Sequence, residues 1–229
     1  MKKLISCFCL LMVLFTPVFG QEKVSVSAGA DLVSSYIWLG VSQNQGAAIQ
    51  PRASLSYAGF TLGAWGSTSF DASGAKEVDL YLSYNIKGLT LKVTNYWWAG
   101  EAVEYFGTST HFYEGSIAYN FGEKFPLTLS ANTMFAGDKD ADGKEQYSTF
   151  ISASYDFSVC DFGLTPRIAI TPADGMYASE DESRVLEAAV RVSRSIKLSD
   201  SFSLPIFTDL ICSPAKKDTY LVFGLSVGI

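Results

Sequence analysis

From residue 23 to the end of the chain, apolar and polar side chains alternate one for one over runs of about ten residues, with turn-forming residues between the runs. Twelve such runs can be drawn, near 23–41, 47–57, 60–69, 77–85, 89–98, 110–120, 127–136, 147–157, 163–172, 185–198, 202–212 and 219–229. In the fourth, Val78, Leu80, Leu82 and Tyr84 alternate with Glu77, Asp79, Tyr81 and Ser83. The tenth sets Leu186, Ala188, Val190 and Val192 against Glu187, Ala189, Arg191 and Ser193. The twelfth sets Leu221, Phe223, Leu225, Val227 and Ile229 against Tyr220, Val222, Gly224, Ser226 and Gly228. A period of two predicts strands with one apolar face, and their length suits a tilted crossing of a bilayer.

The connections alternate as well. Even-numbered strands end in short turns, at Ala58-Gly59, Ile86-Lys87-Gly88, 122–126, 158–162 and Ser199-Asp200-Ser201. Odd-numbered strands are followed by more polar and mostly longer segments, such as 71–76, 99–110, 138–146 and 173–184. Tight turns at one rim and long loops at the other predict an all-β, 12-stranded antiparallel transmembrane β-barrel of the outer-membrane kind, with both termini on the periplasmic side. Alternation alone does not say which face is outside, since a soluble barrel turns its apolar face inward. A ring of twelve strands has too much lumen to fill with Val and Leu, which favours apolar side chains outward. Aromatic residues also collect at both strand ends. Tyr57, Phe60, Tyr84, Tyr119, Phe157 and Phe202 stand at the tight turns, and Trp38, Trp97, Phe135 and Tyr147 at the long loops, as in two interfacial girdles. A soluble β-sandwich shares the short strands and turn signals and is the alternative fold.

Composition adds an address. Residues 1–20 carry two lysines, then an apolar run, then Val18 and Gly20 at positions a signal peptidase prefers, so they are expected to be a signal peptide, with 21–229 a single barrel domain. Neither Cys7 nor Cys9 follows the apolar run, which argues against lipid attachment. Removing this segment takes away two lysines and no acid, so the formal charge of −6 becomes −8, and an acidic chain argues against nucleic acid as a partner. Cys160 and Cys212 remain; the strand pattern puts them at opposite ends of the molecule, so they are expected to be free thiols.

Several short motifs, in order, resemble a known family. Gly29-Ala30-Asp31-Leu32-Val33, Ser35-Tyr36-Ile37-Trp38-Leu39-Gly40, Ala48-Ile49-Gln50-Pro51 and Ala64-Trp65-Gly66-Ser67 resemble the opening of TorF-type porins, especially their Bacteroidetes versions. Glu77-Val78-Asp79-Leu80, Asn95-Tyr96-Trp97-Trp98, Ser201-Phe202-Ser203-Leu204-Pro205 and Val222-Phe223-Gly224 are similar too. One departure is Leu39, where that family commonly carries Arg; a selectivity role of that Arg would be lost here. The resemblance implies export and an outer-membrane barrel more than any particular solute. The ending, with Gly224, Val227 and Ile229, resembles an outer-membrane assembly signal, which implies the barrel assembly machinery as a partner.

With the apolar face toward lipid and lipopolysaccharide, Asp31, Arg52, Glu77, Asp79, Lys92, Glu114, Arg167, Glu187, Arg191 and Asp209 are the expected pore-lining charges. They select solutes by size and sign, or pair with one another and merely fill the barrel. Asp138, Asp140 and Asp142, followed by Gly143, look like half of a calcium loop, but the twelfth position is Thr149 and the flanks are strands. They are candidates only for a surface divalent cation, or form a plain acidic loop. Asp174, Glu180, Asp181 and Glu182 add to a negative outer mouth. Enzyme chemistry has a weak footing: His111 and Ser109 share a face, but Glu114 points the other way and no acid completes a triad. No cofactor is implied. The expectation is a bacterial outer-membrane channel for small hydrophilic solutes. A plugged structural or adhesive barrel binding surface partners through its acidic loops is the alternative, and a lipid-modifying enzyme comes third.

Overall fold

The computed structural model describes residues 23–44, 46–71, 76–99 and 111–229. The predicted signal segment lies outside them, as does the 99–110 loop, a candidate lid, apart from Ala99. The described residues form β1 (Ser25–Val33), β2 (Ile37–Trp38), β3 (Val41–Ser42), β4 (Ala48–Tyr57), β5 (Phe60–Ser69), β6 (Lys76–Ile86), β7 (Leu89–Ala99) and β8 (His111–Asn120). The remainder are β9 (Leu127–Ala136), β10 (Thr149–Tyr155), β11 (Phe157–Val159), β12 (Phe162–Ile170), β13 (Val185–Lys197), β14 (Ser203–Ser213) and β15 (Asp218–Gly228). β10 and β11 are two pieces of one wall strand broken at Asp156, and both pair with β12. β2 and β3 pair only with each other. That leaves twelve wall strands, all antiparallel to their neighbours, and β1 closes the ring on β15 with Gly29 opposite Gly228 and Val33 opposite Gly224.

The tight rim follows from turn chemistry. Ala58 and Gly59 have φ of 52° and 83°, and Lys87 and Gly88 have 50° and 87°. Two successive positive φ angles make the two-residue turn whose twist matches that of the flanking strands.

Apolar side chains point outward along the wall. Leu55, Leu62, Leu82, Leu91, Val93, Ile117, Leu129, Ile151, Leu210, Leu221 and Phe223 are all exposed. The alternate positions carry Ser, Thr, Gln, Tyr and charged residues, and most of the buried polar side chains are among them. Aromatic rings are exposed near both rims, Tyr57, Phe60, Tyr119, Phe157 and Phe202 at one and Phe135 and Tyr147 at the other.

Three expectations require correction. The first strand does not run to residue 41; it leaves the wall after Val33, and 34–44 turns into the barrel. Trp38 is therefore no part of a girdle, because its ring packs on the inward-facing Tyr96 and Trp98. Leu186 does not face outward: the register shift opposite Ala169 and Ile170 leaves it without a cross-strand partner, and it packs with Ala169, Tyr177, Ala178 and Ala215. A bulge of this kind re-aims one side chain without ending the ladder.

Segment 34–44 is held by its own polar groups. Asn44 accepts from the Tyr36 N–H at 2.8 Å through its side chain, and its carbonyl accepts from Ser35 and Ser42 hydroxyls at 3.0 and 2.7 Å. β2 and β3 are joined by Leu39 and Gly40, with φ of 47° and 74°. Ile37 packs against Val33, Ala48, Phe207, Ile211 and Val222 on one side of the lumen. Tyr36 meets Trp65, and Trp38 meets Tyr96 and Trp98, on another. The hairpin thus crosses the barrel, and the two apolar clusters among the described residues lie inside the ring around it.

Gly40 has no room for a side chain, since a Cβ there would meet the Leu186 carbonyl and the Ser213 side chain, whereas Gly143 has the same backbone sign and open space around it. Gly40→Ala should therefore destabilise the fold by about 1–3 kcal/mol more than Gly143→Ala does. Unfolding free energies from urea titration in detergent micelles give the comparison, and equal costs would contradict the close seat of the hairpin on the wall.

Candidate functional site

All ten charged residues singled out from the sequence stand at positions of inward parity, opposite to the exposed aliphatic side chains, but they do not form one ring. On the β12–β14 side, Arg167 donates to Glu187 at 2.6 Å and to Asp209 at 2.8 Å. Arg191 grips the same Asp209 with Nε and Nη2, the latter at 2.6 Å, while its guanidinium lies 4.1 Å from the centroid of the Phe207 ring. The β13–β14 register puts Arg191 directly opposite Asp209. Two cations and two carboxylates within reach of one another make this wall nearly neutral, and bidentate geometry is where Arg is strongest. A second pair, Arg52 to Asp31 at 2.5 Å, sits across β1 and β4, and Ser226 also donates to Asp31 at 2.7 Å.

The other side is acidic. Glu77, Asp79 and Glu114 are 4%, 7% and 1% exposed, on β6 and β8. Glu77 accepts hydrogen bonds from Trp98 and Tyr36 and lies within hydrogen-bond reach of Asp79. Glu114 accepts from Tyr96 at 3.1 Å and from Ser116 at 2.9 Å through one oxygen, Oε1. Lys92, on β7 between them, acts electrostatically on both Asp79 and Glu114. No salt bridge joins these three acids to a base among the described residues.

The hairpin divides the remaining space. A cavity of about 130 Å³ lies between it and the paired wall, lined by Tyr36, Ile37, Gln50, Arg167, Arg191 and Asp209 among others. A second, of about 350 Å³, lies against β10, β12 and β13, and Ile37 and Arg167 are the residues it shares with the first. Sequence reading missed this hairpin because Tyr36-Ile37-Trp38 continues the alternation of β1; the pair Leu39-Gly40 was the available turn signal.

The outer loops use their acids locally. Asp138 is buried and accepts from the Ser148 N–H and from Gln146, both at 3.0 Å. Asp140 accepts from the N–H groups of Asp142 and Lys144, both at 2.9 Å. Asp142 is exposed, and no three His, Cys or acidic side chains are arranged to hold a metal ion among the described residues. Lys216 clasps Glu182 at 2.7 Å across two loops, and that bond, with the Ser179 N–H, holds the Glu182 carboxyl below the usual carboxylate range. His111 shares one hydrogen bond with the Asn95 side-chain amide through Nδ1, as acceptor or donor according to its tautomer, and Ser109 lies outside the described residues. Cys160 and Cys212 are both free.

Residues 20–194 match the profile of Gcw_chp, described as a bacterial protein of unknown function. The chain belongs to the Gcw_chp family. That match names Gcw_chp and not the TorF-type family. No curated protein matches the chain. Among solved structures, the NanC porin is similar over 89% of this chain and 98% of its own, with a TM-score of 0.44 and 11% identity. A variant of the Rhodopseudomonas blastica porin aligns over 90% of this chain and all of its own, at 0.39 and 9%. Wzi, an Escherichia coli outer membrane protein involved in group 1 capsule assembly and a carbohydrate-binding barrel, aligns over 92% of this chain and 56% of its own, at 0.35 and 12%. At those scores the barrel of this Gcw_chp protein rests on its own closed ladder of strands.

Replacing Arg167 by Met leaves Glu187 without a cation while Asp209 keeps Arg191. Arg167→Met should cost about 3–5 kcal/mol, the penalty for one unpaired partner of a buried ion pair, and Glu187→Gln in the same chain should restore part of it. Arg52→Met, at a more exposed pair, should cost less than about 1 kcal/mol. Urea unfolding in micelles reads all three.

Proposed function

We propose that this protein is an outer-membrane channel for small hydrophilic solutes, narrowed by the β2–β3 hairpin and preferring cations. The observation that carries the reading is the inside-out distribution of side chains: aliphatic and aromatic groups cover the outer wall, and charged groups and cavities occupy the interior. In water such a surface would be a large exposed apolar patch; in a bilayer it meets lipid and lipopolysaccharide acyl chains, while the closed ladder gives each wall strand a partner on both sides among the described residues. The resemblance to TorF-type porins supports the same location, and the last strand then serves recognition by the barrel assembly machinery.

Cation preference follows from how charge is divided. The Arg167 and Arg191 wall is neutralised by its own Glu187 and Asp209, whereas Glu77, Asp79 and Glu114 face Lys92 alone. Side-chain charge at a constriction sets ion preference. Acids at the loop rim, including the exposed Asp140, Asp142 and Asp181, bias entry the same way at low salt. A second reading, a plugged structural barrel, draws on the hairpin, which touches wall strands on separate sides of the lumen.

Planar bilayers separate the two. The channel reading expects discrete current steps with potassium favoured over chloride in the reversal potential, and a lower ratio in Asp79→Asn/Glu114→Gln; the complete absence of current would select the plugged barrel. Membrane orientation has its own check. Leu82 is 52% exposed on the outer wall and Ser83 faces in, so Leu82→Arg should cost about 2–4 kcal/mol in lipid vesicles while Ser83→Arg leaves stability near that of the wild type.

A further inference from the structure

Four buried polar atoms converge on one part of the lumen without a hydrogen-bond partner: Asp79 Oδ1, Thr94 Oγ1, Glu114 Oε2 and the Tyr177 hydroxyl. Their residues are 7%, 3%, 1% and 6% exposed. Convergence follows from the ladder. Thr94 lies directly opposite Glu114 across β7 and β8, and Asp79 directly opposite Tyr96, whose hydroxyl donates to Glu114. Tyr177, in the 171–184 loop, meets the same Trp38 ring that packs on Tyr96, and Glu114 and Asp138 both act on it electrostatically. Native proteins seldom leave even one such atom unmatched within the chain, so four together mark a site that takes its polar partners from outside the chain.

This shell specifies its partner. An ionised carboxyl oxygen only accepts, whereas the two hydroxyls both accept and donate, so a donor group suits Asp79 Oδ1 and Glu114 Oε2 and is also accepted by Thr94 and Tyr177. Charge points the same way: Glu77, Asp79 and Glu114 form no salt bridge with a base among the described residues, and Lys92 is the cation that acts on Asp79 and Glu114. A bare metal ion fits poorly, since no three acidic, His or Cys side chains are arranged to chelate among the described residues. A primary ammonium has three donors, no acceptor and one positive charge. Tyr96 and Trp98, stacked at 5.5 Å beside Asp79, offer the aromatic faces that favour such a cation.

We infer that Asp79, Thr94, Glu114 and Tyr177 form a binding site for the primary ammonium group of a small solute. This rests on the channel reading for the route by which the solute arrives. Trp38, on the hairpin, closes over Tyr96, Trp98 and Tyr177, which places the site beneath the hairpin rather than at the open mouth.

The test is calorimetric titration of the full chain in lipid nanodiscs with methylammonium, and with tetramethylammonium, which has equal charge and no N–H. Saturable binding of methylammonium alone is expected, weakened at least tenfold by Glu114→Gln and several-fold by Tyr177→Phe, which deletes one oxygen and leaves the packing of the ring. Equal binding of both ions would mean a diffuse negative field, and no saturable binding of either would mean that water or the acids' own protons fill the shell; each overturns the site. Bilayer current is recorded on the same protein. Binding without current sinks the channel and keeps the site, and current without binding does the reverse.

Discussion

The closed backbone ladder is the constraint from which the other features descend. Once β1 pairs with β15, each wall strand has neighbours on both sides, and side chains can go only outward or inward. The outward set is a continuous apolar surface. The inward set must then hold nearly all the polarity of the wall in a confined space, where an unmatched polar group costs far more than it does in bulk water.

The protein meets that demand in two ways. On the β12–β14 wall it pairs charge with charge, using the forked geometry of Arg167 and Arg191 to satisfy two acids at once. Around the centre it fills space with a folded segment of its own chain, and the hairpin contributes both an apolar side, through Ile37, and a hydrogen-bonding side, through Tyr36. Two strand glycines assist. Gly63 and Gly224 leave room for the Tyr81 and Phe207 rings to lie across the inner wall. The acidic face of β6 and β8 is the exception, satisfied only in part by its neighbours, and functional groups are the usual reason for such an exception.

Position along the strands explains why the hairpin and the acids act together. Tyr36 donates to Glu77, Trp38 covers Tyr96, and Tyr96 donates to Glu114. Any movement of the hairpin therefore changes the surroundings of all three carboxyls. The paired Arg wall shares only Ile37, Tyr36 and Ser35 of that hairpin through the smaller cavity, and its ion pairs close among wall strands without it.

The strand number, the tight and long rims and the two faces were legible in the sequence, because a strand's period of two is local and each apolar run records it independently. The same parity placed all ten charged residues on one side. What parity could not say is which of those charges meet. Arg167 finds Asp209 across 42 residues of chain, and Glu114 finds Tyr96 across 18, contacts set by ring closure and register rather than by spacing. The hairpin and the inward turn of Leu186 escaped for a related reason: both keep a strand-like alternation while leaving the wall plane. Only the tertiary structure decides that, because the energy that draws Trp38 and Ile37 inward comes from side chains on strands far away in sequence.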